Sequence, residues 1–115
     1  MSLAKAKLTT TQIVIVALTV ITALLHLVLG LGMLGDTLGI LFILNFVGYI
    51  VLVAALYFVP QLADRRSLIR YALIAFTAVT VLAWVFMEGI RGPVAYVDKV
   101  IEVVLIVLLF QESRA

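Results

Sequence analysis

The sequence predicts an all-α fold: a polytopic integral membrane protein built as an up-down bundle of four transmembrane helices. Three observations predict it. Hydrophobic residues make up 66% of the 115-residue chain and charged residues 12%, against about 45–50% and about 25% in soluble domains. The apolar residues fall into four runs, each long enough at 1.5 Å per residue to cross a hydrocarbon core of about 30 Å. The basic residues gather at the ends of those runs. A soluble domain of this size has too little interior to hide so much apolar surface, whereas in lipid the outside of a bundle can be as apolar as its core. The chain reads as a single domain, residues 1–115.

The first helix is expected over about residues 13–33, interrupted only by threonines, glycines and His26. Its run is too long for the apolar region of a secretion signal, about 7–15 residues, so "SLAKAKLTTTQ" reads as the lead-in to a retained span. The hydroxyls of "TTTQ" are N-cap candidates. The second helix, about 38–59, stops at Pro60, where the missing N–H ends the run. The third covers about 69–87. The fourth, about 94–110, opens after Pro93, a residue suited to the first helical turn. Short loops make consecutive helices antiparallel neighbours.

Orientation follows from the eight basic residues. Lys5, Lys7, Arg65, Arg66, Arg70 and Arg114 lie on one side, and Arg91 and Lys99 on the other. Six against two places both termini in the cytoplasm of a cell bounded by an inner or plasma membrane. Tyr57 and Tyr71 then fall near the inner interface and Trp84 and Tyr96 near the outer, as aromatic anchors do. Only Tyr49 among the tyrosines falls mid-membrane.

Ionisable groups within a span need a reason. His26, Asn45 and Glu102 all fall at about 8–12 Å below the outer boundary. His26 shares a helical stripe with Thr19, Thr22, Ala23 and Gly30, small and hydroxylated residues that mark helix–helix contact in lipid. Asn45 shares a face with Gly48, Leu52 and Ala55, and Asp98 and Glu102 share one with Leu105 or Ile106. His26, Asn45, Tyr49 and Glu102 are therefore the candidate ligand or cofactor site. Glu88, Asp98 and Lys99 are expected as secondary polar groups at the outer face, with the two acidic side chains solvated there. The inner half offers Thr19, Thr22, Thr77 and Thr80 but no ionisable group, so a site here opens outward.

His26 can ligate iron or magnesium, titrate, or hydrogen-bond a carbonyl, with Asn45 or Glu102 orienting its second nitrogen. Haem, a chlorophyll-type pigment, quinone and a divalent metal are the options, with Met87 as a softer axial ligand. The plain alternatives are an interhelical hydrogen bond for His26 and a local pair with Lys99 for Glu102. Absent cysteine excludes disulfides and thiolate chemistry, and no basic stripe with interleaved aromatics points to nucleic acid. "LGLGMLGD" lacks the lysine-serine of a phosphate loop. No nucleophile with an adjacent base points to an enzyme.

In length and helix count the chain resembles the small multidrug resistance transporters. That family depends on a glutamate in its first helix, where "VALTVITALLHLV" has no carboxylate, so the likeness stops at size. The sequence thus favours a binding or accessory subunit, embedded in lipid as a homo-oligomer or within a larger membrane complex. A small proton-coupled transporter using Glu102 or His26 is the alternative.

Overall fold

The computed structural model describes residues 8–86 and 92–114. Four α-helices occupy the predicted runs: α1 Thr10–Leu31, α2 Thr37–Tyr57, α3 Arg66–Phe86 and α4 Pro93–Ser113. They lie around a square, α1 beside α2, α2 beside α3, α3 beside α4 and α4 beside α1. The bundle is elongated, 47 × 24 × 21 Å.

Local chemistry sets the helix ends. Thr9 caps α1 through a reciprocal pair: its hydroxyl accepts from the Gln12 N–H at 3.1 Å, and its own N–H donates to the Gln12 side chain at 3.0 Å. Two of the four N–H groups that a helix start leaves without partners are thereby satisfied. α2 ends at Tyr57, and Val59 is extended because the ring of Pro60 disfavours helical backbone in the residue before it. Residues Pro60–Arg65 then form a 3-10 helix. Pro93 stands in the first turn of α4.

α1 and α2 approach closely through glycine. A Cβ on Gly39 would stand 2.0 Å from the carbonyl oxygen of Met33, and one on Gly30 2.9 Å from that of Gly39. No side chain fits between the two backbones at this point.

The buried face of α1 is the stripe expected from helical spacing, Thr19, Thr22, Ala23, His26 and Gly30, extended by Ile15. Apolar packing of Ile15, Val53, Leu56, Leu73, Leu105 and Leu109 fills the bundle toward the end at which α1 begins and α4 ends. Large apolar side chains also cover the outside, Val28, Leu44, Val79 and Val100 among them.

α1, α2 and the stretch from Pro60 to Phe86 are each long and apolar enough to cross a membrane. α4 is less apolar than the expected fourth span, because Asp98, Lys99 and Glu102 fall in its first half. Those charges belong to its inner side. Its outward side presents Val94, Val97, Val100, Val103, Val104, Val107 and Phe110, without a charge among them.

Candidate functional site

The polar residues of α1, α2 and α4 meet in the half of the bundle nearest the α1–α2 turn. His26 is 4% exposed, Asp98 3% and Glu102 0%. The Thr22 hydroxyl donates to Asp98 Oδ1. His26 Nδ1 stands 2.7 Å from the Thr22 carbonyl oxygen, which can only accept, so Nδ1 carries the proton of this bond. Nε2 faces Asp98 Oδ2 at 3.7 Å. On α4, Lys99 Nζ lies 2.6 Å from Glu102 Oε1 and 3.3 Å from Asp98 Oδ2. From α2, the Tyr49 hydroxyl donates to Glu102 Oε2 at 2.5 Å. Three helices thus converge on two carboxylates, one ammonium and one imidazole.

This arrangement corrects the expectation for Asp98, which is buried against α1 rather than solvated at the outer face. Lys99 makes the local pair expected with Glu102 and reaches Asp98 as well. The reason is position, since Asp98 lies one turn before Glu102 on the same inward stripe, and burying a charge requires a partner. Asn45 does not join the network. Its Nδ2 donates to the Thr80 hydroxyl on α3 at 2.9 Å, and that hydroxyl donates onward to the Phe76 carbonyl at 2.9 Å. Thr22 and Thr80, expected in the inner half, therefore lie at the level of the polar residues. Glu88 and Met87 fall outside the described residues.

Beside His26 a cavity of about 260 Å³ opens between α2 and α3. Phe42, Phe76 and Trp84 form aromatic walls, and His26, Asn45 and Thr80 supply its polar edge. Leu41 and Val79, exposed on the outside of the bundle, stand at its margin. Asn45 Oδ1 is buried with no hydrogen-bond partner among the described residues. The amide orientation is fixed by Thr80, whose only proton is committed to Phe76, so Nδ2 must face Thr80 and Oδ1 is the atom left over. A buried acceptor without a donor costs about 1–3 kcal/mol.

The chain belongs to DUF7475, a family of unknown function. The family model covers residues 2–110, so all four helices and every member of the polar network lie within the match. No curated protein and no solved structure matches the chain.

In this DUF7475 member a second polar group lies at the far end. Tyr57 donates to Glu112 Oε1 at 2.6 Å, and Arg70 Nε donates to the same oxygen at 2.8 Å. Tyr57 is buried here rather than anchored at an interface. Sequence spacing alone missed this contact, because Glu112 lay beyond the expected end of the fourth helix. The periodicity of α4 carries the signal: Asp98, Glu102, Leu105 and Leu109 continue at i+3 and i+4 to Glu112.

Proposed function

We propose that the chain is an integral membrane protein whose cavity binds a small lipid-soluble molecule that donates a hydrogen bond to Asn45. The observation that carries this reading is the buried Asn45 Oδ1, without a partner among the described residues, at the edge of an aromatic-walled cavity. A ligand hydroxyl or amine would satisfy that oxygen, and Phe42, Phe76 and Trp84 favour a flat ring as its body. A ring-hydroxylated quinol or phenol has both features. A fully oxidised quinone has only acceptors. The volume lies just under the roughly 300–1,000 Å³ of pockets for drug-sized ligands, which suits one ring rather than a macrocycle. Asp98 Oδ2, 3.7 Å from His26 Nε2, stands where a macrocycle would have to lie, an arrangement that does not favour haem or chlorophyll ligation.

Membrane placement rests on the three apolar helices, the uncharged outward side of α4 and the six-to-two basic bias, which favours cytoplasmic termini. The cavity then opens to the acyl chains of the outer leaflet. A binding protein of this kind suits an accessory subunit of a homo-oligomer or larger membrane complex, delivering or sensing its ligand.

Trp84 is the chain's single tryptophan and lines the cavity, so it serves as the reporter. In nanodiscs, a short-chain quinol should quench its emission at about tenfold lower concentration than the matching quinone. Asn45→Leu should remove that preference while leaving the helical spectrum unchanged. Equal quenching by both forms, or a preference that survives Asn45→Leu, would overturn the proposal.

The alternative of a proton-coupled transporter draws on the burial of His26, Asp98, Lys99 and Glu102 together. Against it stands the apolar packing of Ile15, Val53, Leu56, Leu73, Leu105 and Leu109 beyond them. Liposome flux that is lost in Glu102→Gln would favour the transporter.

A further inference from the structure

The polar network has a second property, independent of Asn45. Each of its acceptor residues is pinned through one atom and offers the other. Thr22 holds Asp98 by Oδ1, leaving Oδ2. Tyr49 holds Glu102 by Oε2, leaving Oε1. The Thr22 carbonyl holds His26 by Nδ1–H, leaving the Nε2 lone pair. One ligand atom from each of the three side chains lies within 4.8 Å of the others.

Two of these acceptors, His26 Nε2 and Asp98 Oδ2, face each other at 3.7 Å, beyond hydrogen-bond range. Two lone pairs meeting in a buried space call for a cation between them. Lys99 supplies one in part: its ammonium touches both carboxylates. It is a compact charge on a flexible four-carbon stem, so it can withdraw without moving the backbone. Trp84 already lies beside it, with its ring centroid 5.9 Å from Nζ.

We propose that His26, Asp98 and Glu102 form a site for a divalent transition metal, with the Lys99 ammonium as the resident cation that the metal displaces. One imidazole nitrogen with two carboxylate oxygens suits zinc or manganese, whereas magnesium prefers oxygen ligands and keeps its water. Bonds of about 2.0–2.2 Å to zinc require the three atoms to draw together by about an ångström, a change within reach of side-chain tips. The contacts from Thr22 and Tyr49 fill the role of outer partners that fix tautomer and carboxylate orientation. No bond is made or broken beyond coordination, and the proton count of the three ligands is that of neutral histidine and two carboxylates.

The test uses the full chain in detergent micelles after chelator washing, titrated with zinc alone and with cobalt(II) as a spectroscopic substitute. Wild type should take up one zinc per chain, and cobalt should give the visible bands of low-coordinate nitrogen and oxygen ligation. Lys99→Met should raise zinc affinity at least about tenfold, since the competing charge is gone, and zinc should raise its melting temperature more than that of wild type. His26→Gln and Thr22→Val should each lower affinity about tenfold or more. A shift of Trp84 emission should accompany zinc binding in wild type and be absent from Lys99→Met. Asn45→Leu should bind zinc as wild type does, which separates this site from the cavity. Failure of both wild type and Lys99→Met to bind zinc, or binding indifferent to His26→Gln, overturns the proposal. So does a Lys99→Met chain that zinc does not stabilise.

Discussion

Tyr49→Phe removes one oxygen from the centre of the bundle and leaves the ring in place. Tyr49 is fully buried, and its ring meets Phe76 edge-on with centroids 4.9 Å apart, a contact that phenylalanine preserves. What is lost is a hydroxyl that donates to Glu102 Oε2 at 2.5 Å. Glu102 has no exposure to water, so that oxygen is left without its donor. A hydrogen bond to a charged partner contributes about 1.5–3 kcal/mol, and we expect Tyr49→Phe to cost about 2 kcal/mol. Tyr57→Phe is the internal comparison. Its hydroxyl donates to Glu112 Oε1, but Arg70 donates to that same oxygen at 2.8 Å, so the acceptor keeps a partner and the cost falls to about 1 kcal/mol. Reversible unfolding in mixed micelles should therefore separate the two variants by roughly fivefold in equilibrium constant. Combining Tyr49→Phe with Glu102→Gln should give a coupling energy of about 1–2 kcal/mol. A Tyr49→Phe variant no weaker than Tyr57→Phe, or strict additivity with Glu102→Gln, would refute the central role given to this bond.

Two further predictions concern packing and placement. Gly39→Ala should destabilise the α1–α2 pair by about 1–3 kcal/mol or more, since its Cβ meets a backbone carbonyl, whereas Gly35→Ala, in open space, should stay within about 0.5 kcal/mol of wild type. Thermal unfolding of the two variants decides it, and equal stabilities would remove the close approach as a constraint. The chain has no cysteine, so single thiols report without background. Thr37→Cys should react with an impermeant maleimide on intact cells and Ser67→Cys only after lysis; the reverse pattern would invert the proposed orientation.

Much of the fold was legible because lipid-length apolar runs and their proline and glycine punctuation are local signals. Pro60 and Pro93 mark boundaries wherever they stand in such a pattern. The facing of His26 was legible as well, because small residues at helical spacing reveal which side meets a neighbour. Asp98 was misjudged for a reason of depth: counting residues from an apolar boundary places it near the surface, while its facing, shared with Glu102, carries it inside. Asn45 was grouped with His26 and Glu102 by level and by the small-residue face it shares with Gly48 and Ala55. Level does not set azimuth, and its side chain reaches Thr80 on α3 instead. Partner identity across helices depends on how the square closes, which no single run of sequence encodes.

The division of α4 into a valine-covered outside and a charged inside bears on how the protein is assembled. Alone in a bilayer, a helix with Asp98, Lys99 and Glu102 in its first half would face an insertion penalty of about 2.5–3.5 kcal/mol for each charge near the centre. Those charges become tolerable once Thr22, His26 and Tyr49 are present to receive them. α1 and α2, held together through Gly30 and Gly39, are made before α4 and carry every one of those receiving groups. α4 is then the last of the four helices to be made and the one that most needs the others. In the membrane setting proposed above, its entry would complete the network, so that a chain with a faulty α1–α2 hairpin leaves α4 stranded at the membrane surface.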